Sequence, residues 1–301
     1  MTFDWSEPRR LPAHRLFREQ SSVWLPTTAT QRPVLPSRSV EEVFHAGLLA
    51  DVVLGPTDEV NTRIDTFFDE FRGLPLFDTP VDMPTWAAFG KGANSRRRAA
   101  EAFLGQSLED ARNFLLTAPG RFMVRPLPFE NRDRRNDTHE LLYFRDSGIH
   151  RRLVERNLTL GRRDGKRVGA RALEHWSAKQ LESYVPRRWE AFAVTTIADL
   201  VDRRCEAFAY RHEETREIDL VLEWLDRSPP ERWAIEVTSR KFNTHPSGYF
   251  AEECEFLGVS PANRYVVRRT DDCDGSARGR GGVFALSLPR MVDNLRRRLQ
   301  R

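Results

Sequence analysis

Two acidic residues stand in the middle of short apolar stretches that are typical of β-strands. Asp219 lies in REIDLVLEW (216–224), and Glu236 lies in ERWAIEVT (231–238). A carboxylate buried among such residues is costly unless it is paired with a cation or bound to a metal ion. Mg²⁺ is held in proteins by one or two carboxylates together with water and substrate oxygens. The two acids therefore predict a metal-binding site, with Mg²⁺ as the expected ion.

Strand alternation predicts the direction in which Asp219 points. In a regular strand Asp219 and Leu220 point to opposite faces of the sheet. The face of Leu220 is the more apolar of the two. We therefore expect its carboxylate on the side where Glu236 can meet it. The alternative is structural, because a nearby cation such as Arg216 or Arg240 can pair with a buried acid.

Arginine dominates the cationic residues, and its clusters indicate a nucleic-acid partner. The chain has 301 residues and carries 48 Lys and Arg against 44 Asp and Glu, which gives a net charge of +4. The planar guanidinium binds phosphate through two hydrogen bonds. The alternative is an ordinary solvated surface. The residues predicted to bind DNA are Arg132, Arg134, Arg135, Arg162, Arg163 and Lys166.

Other compositional features exclude several classes of protein. The cysteines, Cys205, Cys254 and Cys273, are far apart and odd in number, which argues against a zinc finger or a disulfide framework. The first residues lack the apolar core of a signal peptide. No apolar run approaches the ~20 residues of a membrane span. The seven histidines form no H-x-x-x-H pair, and His212 is the one expected near the acids. A cytoplasmic protein without a membrane partner is expected.

The pattern divides the chain into four parts. Residues 1–38 are rich in Pro, Arg, Ser and Thr and are expected to form an irregular arm. Residues 39–82 are expected to be helical, with one helix over 39–54 capped by Ser39 and another over 57–74.

The third part, residues 83–150, has the outline of a winged helix. Short helical pieces, one of them capped by Ser95, precede two strands, FMVRPLP (122–128) and HELLYF (139–144), and the basic linker 129–138 forms the wing. A winged helix often reads DNA through its second helix. That helix, SLEDARNFLL, begins with acids that repel phosphate, so a structural or protein-contact role is favoured.

The fourth part, residues 151–301, predicts an α/β domain with a mixed sheet flanked by helices. Pro186 is expected to restart the chain before an amphipathic helix over 187–204. Three strands, a helix, a strand, a short strand and a last helix then follow.

This order of elements, with acids on a helix and two strands, resembles the restriction-endonuclease-like PD-(D/E)XK fold. A second resemblance is to the C-terminal half of a family of predicted prokaryotic AAA-type ATPases. That half is a domain of unknown function, itself considered endonuclease-like. The resemblance covers about residues 83–301. The segments that carry it are FMVRPLPFEN, ELLYFRDSGIHRRLVE, WEAFAV, REIDLVLEW and RWAIEV. The second of these contains a Y-x-x-D-[ST]-G segment, formed by Tyr143, Asp146, Ser147 and Gly148.

The resemblance implies specific roles for residues of this chain. Glu190 corresponds to a third acid, so that Glu190, Asp219 and Glu236 would bind Mg²⁺. At a helix start Glu190 also favours the helix dipole, which is its structural alternative. The motif's usual lysine, which assists the attacking water, is replaced by Thr238. The catalytic residues expected are Asp219, Glu236 and, in place of that lysine, Arg240 or Lys241.

The chain departs from those ATPases at its N-terminal side. No G-x-x-x-x-G-K-[ST] phosphate loop occurs in it, so no nucleotide cofactor and no ATP hydrolysis are predicted. Residues 39–82 are expected to correspond to lid-like helices.

Three hypotheses about function remain open from the sequence. The first is a metal-dependent endonuclease-like protein that acts on or binds DNA, in a defence or mobile-element system. The second is a catalytically inactive docking module for an ATPase or another protein. The third is a winged-helix DNA-binding regulator.

Overall fold

The computed structural model describes ten stretches of the chain, which are residues 39–48, 56–71, 94–96, 124–131, 139–152, 178–201, 203–212, 216–239, 249–270 and 282–300. The α-helices are α1 (Val40–Ala46), α2 (Val60–Phe71), α3 (Ala178–Ala198), α4 (Phe250–Phe256) and α5 (Leu288–Leu299). Two short 3₁₀ helices cover Thr57–Glu59 and Pro261–Asn263. The strands are β1 (Asn94–Arg96), β2 (Val124–Asn131), β3 (His139–Phe144), β4 (Cys205–His212), β5 (Arg216–Trp224), β6 (Glu231–Thr238), β7 (Arg264–Arg268) and β8 (Phe284–Ser287).

The strands form one mixed sheet in the order β1-β3-β2-β4-β5-β6-β7-β8. Strand β3 pairs antiparallel with β1 and β2, and β5 pairs antiparallel with β4 and β6. Parallel pairing joins β2 to β4, β6 to β7 and β7 to β8. The predicted α/β class with a mixed sheet flanked by helices is confirmed. The restriction-endonuclease-like identity of that sheet stays a prediction.

The sheet has a buried core on each face. On one face, apolar residues of β5 and β6 pack with α1, α3 and α5, as Leu220 packs in the same cluster as Trp189 and Leu295. On the other face, Val221 packs in a cluster with Phe250 of α4. We call these the α3 side and the α4 side of the sheet.

The helix α1 supports α3 through aromatic contacts. The ring of Phe44 lies 5.6 Å from that of Trp189 and 5.6 Å from that of Phe192. Ser39 caps α1 as predicted, since its hydroxyl accepts the Glu42 amide hydrogen at 3.2 Å and the Glu42 carboxylate accepts the Ser39 amide hydrogen at 2.7 Å. The helix ends before Gly47, whose φ of 84° stops it well short of residue 54.

Two expected local features are wrong. Pro186 lies inside α3 and does not restart the chain. Proline costs about 3 kcal/mol in a helix interior, and the buried face from Trp189 onward outweighs that cost. Ser95 does not cap a helix, because it lies in β1 opposite Leu142. The outer edge of β3 offers unpaired main-chain groups, and residues 94–96 pair with that edge.

The predicted hairpin of β2 and β3 is confirmed, and it belongs to the main sheet. Val124 pairs with Phe144, and β2 also pairs with β4 at Phe129 and Ala209. The basic linker and most of residues 83–123 lie outside the described residues. The winged-helix region therefore stays a prediction, as do the arm over 1–38 and the boundaries between the four parts.

Candidate functional site

The sheet opens at the point where the two predicted acids lie. The ladder between β5 and β6 runs from Trp224 and Glu231 to Leu220 and Ile235. Beyond it, the main-chain N–H of Val237 donates to Oδ2 of Asp219 at 2.7 Å. The N–H of Val237 thus bonds to a side-chain carboxylate and not to the main chain of β5. The regular pairing of β5 with β6 ends at this point.

A β-bulge aims the Asp219 side chain. The register of β4 and β5 shifts between Phe208 and Tyr210. Two residues of β5, Asp219 and Leu220, stand opposite the single residue Ala209 at this shift. Bulges bend a strand locally and redirect its side chains, and they are common beside functional sites.

The bulge overturns the expected alternation along β5. Ile218 and Val221 both belong to the core on the α4 side, although they are three residues apart, and Leu220 belongs to the core on the α3 side. The carboxylate of Asp219 therefore does not lie opposite Leu220. It lies in the gap between β5 and β6, where its Oδ2 accepts the Val237 N–H.

Glu190 meets these acids from α3. Burial raises the pKa of the Glu190 carboxyl well above its usual value, and the charges of Asp219, Glu217 and Glu236 raise it further. Tyr143 of β3 completes this side of the site, since burial and then the charge of Glu190 raise the pKa of its hydroxyl. That hydroxyl lies beside the Glu190 carboxylate, but outside full hydrogen-bond geometry with any described residue.

The other two predicted acids are perturbed in the same direction. Burial raises the pKa of Asp219 to about 7, the Val237 N–H lowers it, and the charge of Glu217 raises it. Burial, then Asp219 and Glu217, raise the pKa of Glu236 well above its usual value. The structure thus brings Glu190, Asp219 and Glu236 within electrostatic reach of one another.

Glu217 is a fourth acid that the sequence reasoning missed. It is the cross-strand partner of Arg211 and forms an ion pair with it. The guanidinium of Arg211 also lies 5.4 Å from the centroid of the Phe129 ring. The spacing in REID, with two acids two residues apart, was the available signal, because such residues share a strand face.

A divalent cation fits the chemistry of this group. Among the described residues, neither Asp219 nor Glu236 has an ion pair with a cationic side chain, and Oε2 of Glu236 is buried without a hydrogen-bond partner. Carboxylate oxygens are the ligands that Mg²⁺ prefers. The described part of the chain holds no three His, Cys, Asp or Glu side chains that already have metal-binding spacing. The acids are close but would have to adjust around an ion.

The Y-x-x-D-[ST]-G segment has a structural role at Asp146. This buried carboxylate accepts the amide hydrogens of Gly148 at 2.9 Å and Ile149 at 2.8 Å through one oxygen. Its second oxygen accepts the amide hydrogen of Leu48 at 2.6 Å. Asp146 therefore starts the helical turn at 147–152 and ties it to the chain after α1. A side chain on Gly148 would lie 2.1 Å from the carbonyl oxygen of Ala46, which explains the glycine.

His212 lies on β4 and pairs with a buried acid of α4. Its Nδ1 is 3.0 Å from Oε1 of Glu253, and Arg216 approaches the same oxygen at 3.3 Å. Arg216, which the structural alternative offered as a cation for the buried acids, forms ion pairs with the α4 carboxylates Glu252 and Glu253.

The remaining predicted site residues lie outside the described residues. These are the two cations proposed to replace the motif lysine and the six basic residues proposed to bind DNA, namely Arg240, Lys241, Arg132, Arg134, Arg135, Arg162, Arg163 and Lys166. Their roles stay predictions.

Comparisons with known proteins supply no relative for this chain. No family model, no curated protein and no solved structure matches it. Within the described stretches, none of the helices has the length and apolar character that crossing a bilayer requires.

Proposed function

We propose that this protein is a metal-dependent phosphodiester hydrolase of the endonuclease-like type, acting on DNA. One observation supports the proposal above the others, which is that Glu190, Asp219 and Glu236 come from three separate elements and meet where the sheet opens. Burial first, and then the charges of neighbouring acids, raise the pKa values of all three, a perturbation that is common among carboxylates at functional sites. A restriction-endonuclease-like sheet is part of the proposal.

Glu190, Asp219 and Glu236 would hold the cation. Bound Mg²⁺ would lower the pKa of a coordinated water and neutralise charge on the phosphate in the transition state. The protein's own contribution is to fix the ligands. The bulge redirects Asp219, and the Val237 N–H bonds to one of its oxygens. Helix α3 brings Glu190 close to these acids. Raised pKa values mean that the acids share protons when no cation is bound, and that they release them on binding.

Cleavage assays with a matched control test the proposal. We expect wild-type protein to cut a DNA duplex in Mg²⁺ or Mn²⁺, and Asp219→Asn to reduce the rate at least roughly 100-fold, because it removes the charge of a metal ligand. The control is Glu223→Gln on the same strand, whose acid pairs with Arg232 at 2.6 Å. That variant should cut like the wild type. Uncut DNA with wild-type protein under every metal condition contradicts the proposal.

A catalytically inactive docking module for an ATPase or another protein is the second candidate. It is favoured by Thr238, which cannot supply the charge of a lysine, and by the lack of a preformed metal cluster in the described residues. Calorimetry separates the two candidates. A docking module should bind neither Mg²⁺ nor Mn²⁺ at the acids, whereas the hydrolase should bind one of them and lose it in Asp219→Asn.

The proposal extends to a biological setting. A role in a defence or mobile-element system, with DNA as substrate and an ATPase as partner, rests on the family resemblance and on the arginine clusters. An adjacent gene for an ATPase or a methyltransferase would support it. If DNA binding does not depend on Arg132, Arg134 and Arg135, the proposed contact is wrong.

A further inference from the structure

Arg268 ends β7 directly beside the residue that replaces the motif lysine. In the parallel ladder of β6 and β7, Thr238 and Arg268 are Cα partners, as are Glu236 and Val266. Partners in neighbouring strands point to the same face of the sheet, and so do residues two apart. Val266 belongs to the core on the α4 side. Arg268, Thr238 and Glu236 therefore share that face.

The Arg268 side chain is largely buried, and the described residues give its guanidinium no hydrogen bond or ion pair. The residue is 9% exposed, and its Nε has no hydrogen-bond partner among the described residues. No carboxylate in the described part of the chain forms an ion pair with it. Arg264, on the same strand and the same face, is 4% exposed but well satisfied. Its guanidinium donates to the carbonyl of Val259 at 3.2 and 3.1 Å and lies 3.6 Å from Glu255.

Burying part of a cation without a partner is costly, and among the described residues the buried Nε of Arg268 has none, so its presence here requires an explanation. The acids of the site do not neutralise it. An anion that enters the site from outside would complete it, and the planar fork of arginine matches a phosphate group best. A cation held by the carboxylates would contact the same phosphate group.

We propose that Arg268 binds a backbone phosphate of the DNA strand at the carboxylate site and supplies the cation that Thr238 lacks. The inference rests on the proposed function, because it takes the phosphodiester as ligand. It gives this role to a residue of β7 in place of Arg240 or Lys241.

The test measures binding without cleavage. In an Asp219→Asn background, which also removes one repulsive charge, a fluorescein-labelled DNA duplex is titrated by anisotropy over a range of salt concentrations. Arg268→Met keeps the apolar stem and removes the fork, and Arg264→Met is the matched control. We expect Arg268→Met to weaken binding roughly tenfold or more, as the loss of one charged hydrogen bond predicts. The slope of log affinity against log salt should fall by about 0.9, which corresponds to one phosphate contact.

Thermal unfolding separates this role from a structural one. Arg268→Met should leave the melting temperature unchanged or raise it, whereas Arg264→Met should lower it, because only Arg264 loses partners. Inorganic phosphate should stabilise the Asp219→Asn protein but not the version that also carries Arg268→Met. Equal DNA affinity with and without Arg268, or a melting temperature lowered as much as by Arg264→Met, overturns the inference. Because cleavage is absent from these readouts, an inactive wild type with Arg268-dependent binding would refute only the proposed hydrolase.

Discussion

Replacing Asp219 by asparagine removes one charge from the carboxylate group and keeps its main hydrogen bond. The amide oxygen of asparagine can still accept the Val237 N–H, which lies 2.7 Å from Oδ2 in the wild type. The change in volume is negligible, so packing around residue 219 is preserved. The effect on stability should therefore report the electrostatic crowding of the acids.

The magnitude follows from the pKa of Asp219, which rises from 3.8 to about 7. The folded protein keeps a proton that the unfolded chain has already released, so wild-type stability falls as the pH rises between those values. At about 1.4 kcal/mol for each pKa unit, the loss approaches about 4 kcal/mol above pH 7. Partial exposure of the side chain reduces it, and roughly 2 kcal/mol is a realistic lower figure.

Urea unfolding followed by tryptophan fluorescence, at several pH values and without divalent cations, measures the difference. We expect Asp219→Asn to equal the wild type in acid and to exceed it in free energy of unfolding above neutral pH. Asp226→Asn is the control of opposite sign, because a hydrogen bond from Arg298 lowers the pKa of Asp226. That variant should be less stable at neutral pH, with the difference closing in acid. A stability difference for Asp219→Asn that does not change with pH would refute the reasoning.

Two further predictions concern ion binding and the tie at Asp146. Titration of Mg²⁺ into the protein near neutral pH should release protons, because the pKa of Asp219, raised to about 7, leaves that carboxyl partly protonated. Calorimetry in two buffers of different ionisation enthalpy measures that release, and heats that do not depend on the buffer would count against it. Gly148→Ala should cost about 3 kcal/mol or more, because its Cβ would lie 2.1 Å from the Ala46 carbonyl oxygen. Gly258→Ala, whose Cβ meets nothing within 4 Å, should cost only the roughly 1–2 kcal/mol of its positive φ in the same denaturation assay.

The sequence predicted the elements whose signals are local. The strands around Asp219 and Glu236 are continuous apolar runs, and the cap at Ser39 depends on Glu42, three residues away. The meeting of Glu190 with those acids was predicted through resemblance. It depends on how a helix lies across the sheet, which periodicity alone does not determine.

The features that were missed depend on tertiary structure. The bulge at Asp219 has no glycine or proline to mark it, and only the pairing with β4 reveals it. Pro186 stays helical because residues after it are buried, and Ser95 joins a strand because β3 offers an unpaired edge. The spacing of Glu217 from Asp219 could be seen in the sequence. Its contribution to the charge of the site depends on the bulge that redirects β5.

The aromatic contact between α1 and α3 couples two distant parts of the chain. Phe44 rests on Trp189, the residue immediately before Glu190, and Arg188 covers the same ring from 4.1 Å. A binding partner that displaced α1 would remove the packing that supports α3, the helix that carries Glu190. Control of the carboxylate site from the outer surface of α1 would then require no ligand inside the site.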